Sequence, residues 1–167
     1  MRRTLRNIKL DRVDRAILTI LQEAGRIPNS ELAERVHLSE SACLRRVRAL
    51  EEAGVISGYA AIVDQAASGR AESVFVRVTL EKQTEQILSD FEAAVREVDQ
   101  IMECWLMSGD ADYLLRVIVA GASDYEMLHN KILTRLPGVA RVHSSFALRT
   151  VMKRAHVPIF DGETGGA

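Results

Sequence analysis

Two short stretches carry residue types whose spacing can do chemistry. The first is Ser39-Glu40-Ser41-Ala42-Cys43-Leu44-Arg45-Arg46-Val47-Arg48. At about 100° per residue in a helix, an apolar stripe centred between Leu44, Val47 and Leu50 puts Ser41, Ala42 and Arg45 on the opposite face. Arg46 and Arg48 then lie on its flanks. Small residues at the start of such a helix (Ser39, Ser41 and Ala42) let its first turn approach a groove closely. Arginines one turn later can fork onto guanine O6 and N7 or clamp phosphates. An isolated R-R-x-R is more often the solvated face of a packed helix, but a helix-turn-helix setting favours DNA contact. Glu51 and Glu52 place that contact at the front of the helix and not at its end.

The second stretch is Ser108-Gly109-Asp110-Ala111-Asp112-Tyr113. Glycine at 109 can take a positive φ and expose backbone N–H groups, while two carboxylates two residues apart point into the same region. That pairing suits a zwitterion: N–H donors for its carboxylate, acidic oxygens for its ammonium. On residues alone, a plain Gly-Asp turn joining two antiparallel strands is the commoner reading. Paired carboxylates also serve general acid–base catalysis. Here no nucleophile, metal cluster or Gly-rich phosphate loop accompanies them, so no enzyme activity and no cofactor are expected. His37, His129, His143 and His156 are scattered and pair with neither Cys43 nor Cys104 at a metal-ligand spacing. Cys43 reads as a small buried hydrophobe, Cys104 likewise, and neither spacing suggests a redox pair.

These stretches need elements to position them. Asp11 is a good N-cap with Asp14 three residues on, and Val13, Ile17, Ile20 and Leu21 recur at helical spacing until Gly25. Asn29 or Ser30 can cap a short second helix with Leu32, Ala33 and Val36. Ser39 caps the third, and Gly54 is its expected C′ residue. Three short helices, the last two split by a tight turn, make a helix-turn-helix over residues 1–55. After Gly54 the period becomes alternating: 56–63 reads as a linking strand, and 64–70 as a polar connection. Alternation over 74–80, a helical pattern over 87–98, strands over 100–107 and 113–120, a helix over 127–133 and a last strand over 139–152 follow. The order β-α-β-β-α-β predicts an α+β, ferredoxin-like βαββαβ domain over 71–153. Val74, Trp105 and Phe146 are candidates for apolar surface on its uncovered face. Residues 154–167 are expected to be a flexible tail.

The 167 residues suffice for two small domains, and 47% hydrophobic with 27% charged residues is a globular composition. Net charge is −1, yet residues 1–62 hold 11 basic and 8 acidic side chains against 11 and 15 in the remainder. A basic first third and an acidic rest suggest two modules with different partners. No apolar run approaches the roughly 20 residues that span a bilayer, and no signal-peptide core follows Met1-Arg2-Arg3. A cytoplasmic protein with free thiols and no membrane partner is expected.

The chain resembles the leucine-responsive/asparagine-synthetase regulator (Lrp/AsnC) family of transcription factors, from about Leu10 to Lys153. The matching words are Leu10-Asp11-Arg12-Val13-Asp14, Gly25-Arg26-Ile27, Cys43-Leu44-Arg45-Arg46-Val47, Leu50-Glu51 and Gly54-Val55-Ile56. In the second half they are Ser108-Gly109-Asp110, Asp112-Tyr113-Leu114-Leu115, Leu136-Pro137-Gly138-Val139 and Ser144-Ser145-Phe146-Ala147-Leu148. The resemblance implies a helix-turn-helix joined by a strand to a ferredoxin-like effector domain, pairing into homodimers that commonly associate into octamers. It implies an amino-acid effector held near the Gly-Asp loop of one subunit and the last strand of a neighbour. That selects Gly109, Asp110, Asp112 and Tyr113, with Ser144 from the partner. Ser145 stands where the founding member carries a bulkier residue, so leucine is not implied as the ligand. The expected function is sequence-specific, amino-acid-responsive regulation of transcription through oligomer rearrangement on double-stranded DNA. The alternative is an effector-independent protein that compacts DNA.

Overall fold

The computed structural model describes residues 9–159. The described residues divide into two compact units, residues 9–62 with 152–159, and residues 63–151.

The first unit contains α1 (Arg12–Glu23), α2 (Asn29–Arg35) and α3 (Glu40–Glu52). Asp11 caps α1 in a full capping box: its carboxylate accepts from the Asp14 N–H at 2.8 Å, and Asp14 accepts from the Asp11 N–H at 3.1 Å. Pro28, with no side-chain cap, precedes α2, so neither Asn29 nor Ser30 is its cap. Instead the Asn29 amide donates to the Glu40 carbonyl at 3.0 Å, tying α2 to the first turn of α3. Between them His37 takes φ 55, closing the tight turn in the left-handed region that His tolerates better than most residues. Ser39 caps α3 by accepting from the Ala42 N–H. Ile17, Leu18, Leu32, Ala33, Cys43 and Leu50 form the core.

The second unit is a four-stranded antiparallel sheet in the order β2-β3-β1-β4, with β1 (Glu72–Leu80), β2 (Ile101–Leu106), β3 (Tyr113–Val119) and β4 (Val139–Phe146). Two helices, α4 (Glu85–Arg96) and α5 (Ala122–Lys131), complete the βαββαβ order. Val74, Val76 and Val78 on β1 and Leu115, Val117 and Val119 on β3 are wholly buried. They pack with Phe91, Val95, Leu128 and Leu133 into one core. Period-2 alternation therefore separates a helix-covered face from an open one. Gly138, before β4, has φ 71, and a Cβ there would stand 2.5 Å from Ile87 Cγ2, so only glycine fits this turn.

Four expectations change. Residues 56–63 run without a ladder partner among the described residues, because a strand exists only where another strand accepts its hydrogen bonds. β4 stops at Phe146 and not at Met152, for the same reason. Of the three residues expected on the open face, only Trp105 remains. Val74 is in the core, and Phe146 turns toward the helices, where it meets Tyr125 edge-on at 5.2 Å. Finally, 154–159 is not a free tail: Ile159 packs on the helix-turn-helix core, while residues 160–167 lie outside the described ones.

Candidate DNA-contacting helix and effector cavity

Neighbouring arginines on α3 have different surroundings. The buried stripe runs through Cys43 and Leu50 with Val47 partly covered, whereas Leu44 is 38% exposed. The stripe is thus turned from Leu44 toward Cys43, away from the Leu44–Val47–Leu50 axis expected from sequence. That rotation brings Arg46 inward. Its guanidinium donates to Asp11 Oδ2 and Asp14 Oδ1, both at 2.7 Å, clasping α3 to the capping box of α1. The Asp14 backbone N–H and then the Arg46 side chain hold the Asp11 carboxyl below its ordinary value. Arg46 therefore clasps α3 to α1 while a third of its side chain stays exposed.

Ser41, Leu44, Arg45 and Arg48 remain on the exposed face. Neither Arg45 nor Arg48 enters an ion pair or hydrogen bond among the described residues. Ser39 serves as the cap, its hydroxyl 3.3 Å from that of Ser41, and Ala42 is half-buried beside them. Cys43 is fully buried, and burial pushes its thiol up, away from nucleophilic chemistry.

The β2–β3 loop shows the same division between neighbours. Gly109 takes φ 138, with open space where a Cβ would stand. Below it lies a cavity of about 340 Å³ lined by Gln83, Leu88, Leu106, Met107, Ser108, Gly109 and Asp112. Asp112 is only 7% exposed. Its Oδ2 accepts from the Leu80 N–H at 2.7 Å and its Oδ1 from the Gln83 amide at 2.5 Å. Its own N–H donates to the Val78 carbonyl. Asp112 is thus a wall of the cavity and a strut between loop and sheet. Asp110 is exposed and outside the lining, so the two carboxylates do not converge as expected. Tyr113 is a core residue, 1% exposed, its ring 4.5 Å from Phe91 and its hydroxyl donating to Glu92 Oε1 at 3.0 Å. Ser144 sits on β4, two strands from β3, where its hydroxyl bonds that of Tyr125. Within one chain it does not join the loop.

Sequence reasoning missed Gln83, Leu88, Leu106 and Met107. Gln83 lies in Glu81-Lys82-Gln83-Thr84, where nothing separates one polar residue from its neighbours until the fold carries it to Asp112. Among the described residues no group of three or more His, Cys, Asp or Glu is arranged to hold a metal ion. None of their helices is long and apolar enough to cross a membrane.

The comparisons match this architecture. The family model described as the Lrp/AsnC ligand binding domain matches residues 73–157, and a winged helix-turn-helix DNA-binding model matches residues 10–57. The chain belongs to the Lrp/AsnC family of transcriptional regulators. Among curated relatives, the Bkd operon transcriptional regulator of Pseudomonas aeruginosa is 46% identical over 90% of this chain and 99% of its own. The leucine-responsive regulatory protein of Escherichia coli is 46% identical over 78% of this chain and 79% of its own. Among solved structures, a transcriptional regulator from Neisseria meningitidis in complex with L-methionine superposes with a TM-score of 0.84 at 35% identity. It covers 89% of this chain and 96% of its own. An AsnC-family regulator from Agrobacterium tumefaciens gives 0.85 at 34% identity over 89% of this chain and 97% of its own.

Proposed function

We propose that the protein is an amino-acid-responsive, sequence-specific DNA-binding regulator and not an enzyme. The observation that carries this reading is an outward face on α3 bearing two arginines without partners among the described residues, Arg45 and Arg48. It occurs in the same chain as a ligand-binding domain with a cavity of amino-acid scale under Gly109. Ser41 lets the first turn of α3 approach a groove, and Arg45 and Arg48 supply forked donors for base edges or phosphates. Ser39 and Ala42 shape that first turn.

The cavity offers the Gly109 region for the effector carboxylate and Leu88, Leu106 and Met107 for its side chain, and the exposed Asp110, next in sequence to Gly109, is the candidate acceptor for the ammonium. Asp112, already accepting two hydrogen bonds, holds the wall in place. Ser144 would have to come from a neighbouring copy, which makes the complete site a property of the assembly. The open sheet face, with Trp105 at 42% exposure and Phe75 at 38%, supplies apolar surface for pairing into a homodimer. Effector binding then shifts the population among assemblies that space the DNA-binding units differently, within the cytoplasm.

The test is a thermal-shift screen of the twenty amino acids, since a ligand that binds only the folded state raises the melting temperature. Calorimetry on the strongest hit and footprinting with and without it complete the test. A hit that changes the footprint supports the reading. DNA binding that tolerates any sequence and ignores all twenty amino acids would instead make the protein an effector-independent DNA-compacting one.

A further inference from the structure

The helix-turn-helix unit is not built from residues 9–62 alone. Residues 152–159 return to it as an extended segment. The Gln22 side chain, near the end of α1, grips this segment at two points. Its Nε2 donates to the Val157 carbonyl at 3.0 Å, and its Oε1 accepts from the Val157 N–H at 2.6 Å. A primary amide carries one donor–acceptor edge like that of a peptide group, so Gln22 does for Val157 what a neighbouring strand would do. Pro158, which has no N–H to satisfy, follows directly. Ala155, Val157 and Ile159 line one groove with Leu18, Leu21 and Ile56, and their alternation is that of an extended chain laying one face down.

This seat is a light one. Val157 is 68% exposed, and the two hydrogen bonds are exposed as well, so local opening requires little disruption. Its connection is direct: residues 147–151 alone separate the end of β4 from the segment. The chain passes between the two units twice, once at 62–63 and once at 151–152.

We propose that residues 152–159 are a strap whose seating in this groove holds the helix-turn-helix in its DNA-binding form, and that displacement of β4 in the ligand-binding domain unseats it. For its trigger alone, the proposal rests on the amino-acid reading above.

The test uses the full-length chain, its Gln22→Leu variant, which keeps the bulk but loses both hydrogen bonds, and a chain ending at Val151. Hydrogen exchange and operator affinity are followed in each. In Gln22→Leu the Val157 amide should exchange at least tenfold faster and operator affinity should fall at least threefold, with circular dichroism unchanged. The chain ending at Val151 should lose at least as much affinity. A synthetic peptide of residues 152–159 should restore it there, though not in Gln22→Leu. Wild-type operator affinity in both variants would overturn the strap. The trigger is read separately, with the amino acid that gives the largest thermal shift. Calorimetric binding that leaves Val157 exchange unchanged overturns the link to β4. Absence of any amino-acid binding overturns the effector reading instead, and the Gln22→Leu arm still decides the strap.

Discussion

Helix α3 and the β2–β3 loop pose the same problem and solve it at different depths. Each places two like charges close together in sequence, and each gives one of them to the fold. On α3, Arg46 clasps Asp11 and Asp14 while Arg45 faces solvent. In the loop, Asp112 struts Leu80 and Gln83 while Asp110 faces solvent. The difference lies in burial. Arg46 keeps a third of its side chain exposed and bonds partners that are themselves partly solvated, whereas Asp112 is almost fully covered and satisfies a buried backbone N–H. Losing a surface clasp forfeits a screened attraction. Losing a buried one leaves a desolvated donor without an acceptor.

The largest effect should follow from breaking the buried member. Asp112→Ala strands the Leu80 N–H and frees the Gln83 amide, and should destabilise the ligand-binding domain by roughly 3 kcal/mol. Asp110→Ala, at an exposed position, should stay within about 0.5 kcal/mol. Chemical denaturation of the two variants checks this directly. Equal midpoints would mean that Asp112 is not the strut its contacts describe. Asp110→Ala should instead weaken amino-acid binding, which calorimetry at unchanged stability would show.

Next in size is the outward member of the other pair. Arg45→Ala and Arg48→Ala should each leave stability unchanged and weaken operator binding by about 1–3 kcal/mol where the arginine reads a base. Where it holds a phosphate, all sequences should weaken alike and the salt dependence should flatten by about one unit of slope. Two variants with wild-type footprints and affinities would remove this face of α3 from DNA recognition.

Much of this was legible in the sequence, and the limits are instructive. The element order and the alternation over 74–80 predicted a βαββαβ domain because strand burial is written in a period of two. The capping box of α1 was visible as Asp11 and Asp14. What failed was any statement needing a partner distant in sequence. Residues 56–63 have strand chemistry but no ladder among the described residues, Arg46 has a free arginine's context until α1 packs beside α3, and Gln83 meets Asp112 across 29 residues. The α3 stripe failed more subtly. Cys43 is buried as expected, but Leu44, also apolar and expected on the same stripe, is exposed; how far the stripe extends to Leu44 depends on the approach of α1 and α2, which periodicity within a single helix does not contain.

A smaller effect comes from the surface clasp. Arg46→Ala should cost about 1 kcal/mol of helix-turn-helix stability at neutral pH, since its pairs are partly exposed. Operator affinity should then fall only as far as the fold loosens, so low temperature should restore it. An affinity loss that persists when the variant is fully folded would mean that Arg46 also touches DNA.

The smallest effect isolates the charge from the cap. The Asp11 carboxyl sits below its ordinary value of 3.8, first because it accepts from the Asp14 N–H and then because Arg46 bonds it. A carboxyl depressed in the folded state contributes stability that is present above its unfolded value and lost as pH falls through the folded one. Asp11→Asn keeps an N-cap of similar quality, since asparagine caps about as well as aspartate, and removes only the titrating charge. At pH 6 the wild type should therefore melt slightly above the variant. Below about pH 4 the gap should narrow and close, since protonated Asp11 and asparagine then present the same neutral acceptor. Parallel melts from pH 6 to pH 2.5 read the difference. A gap that stays constant to the acid end would show that Arg46 gains nothing from the Asp11 charge, leaving Asp14, the more buried of the two carboxylates, to hold the clasp alone.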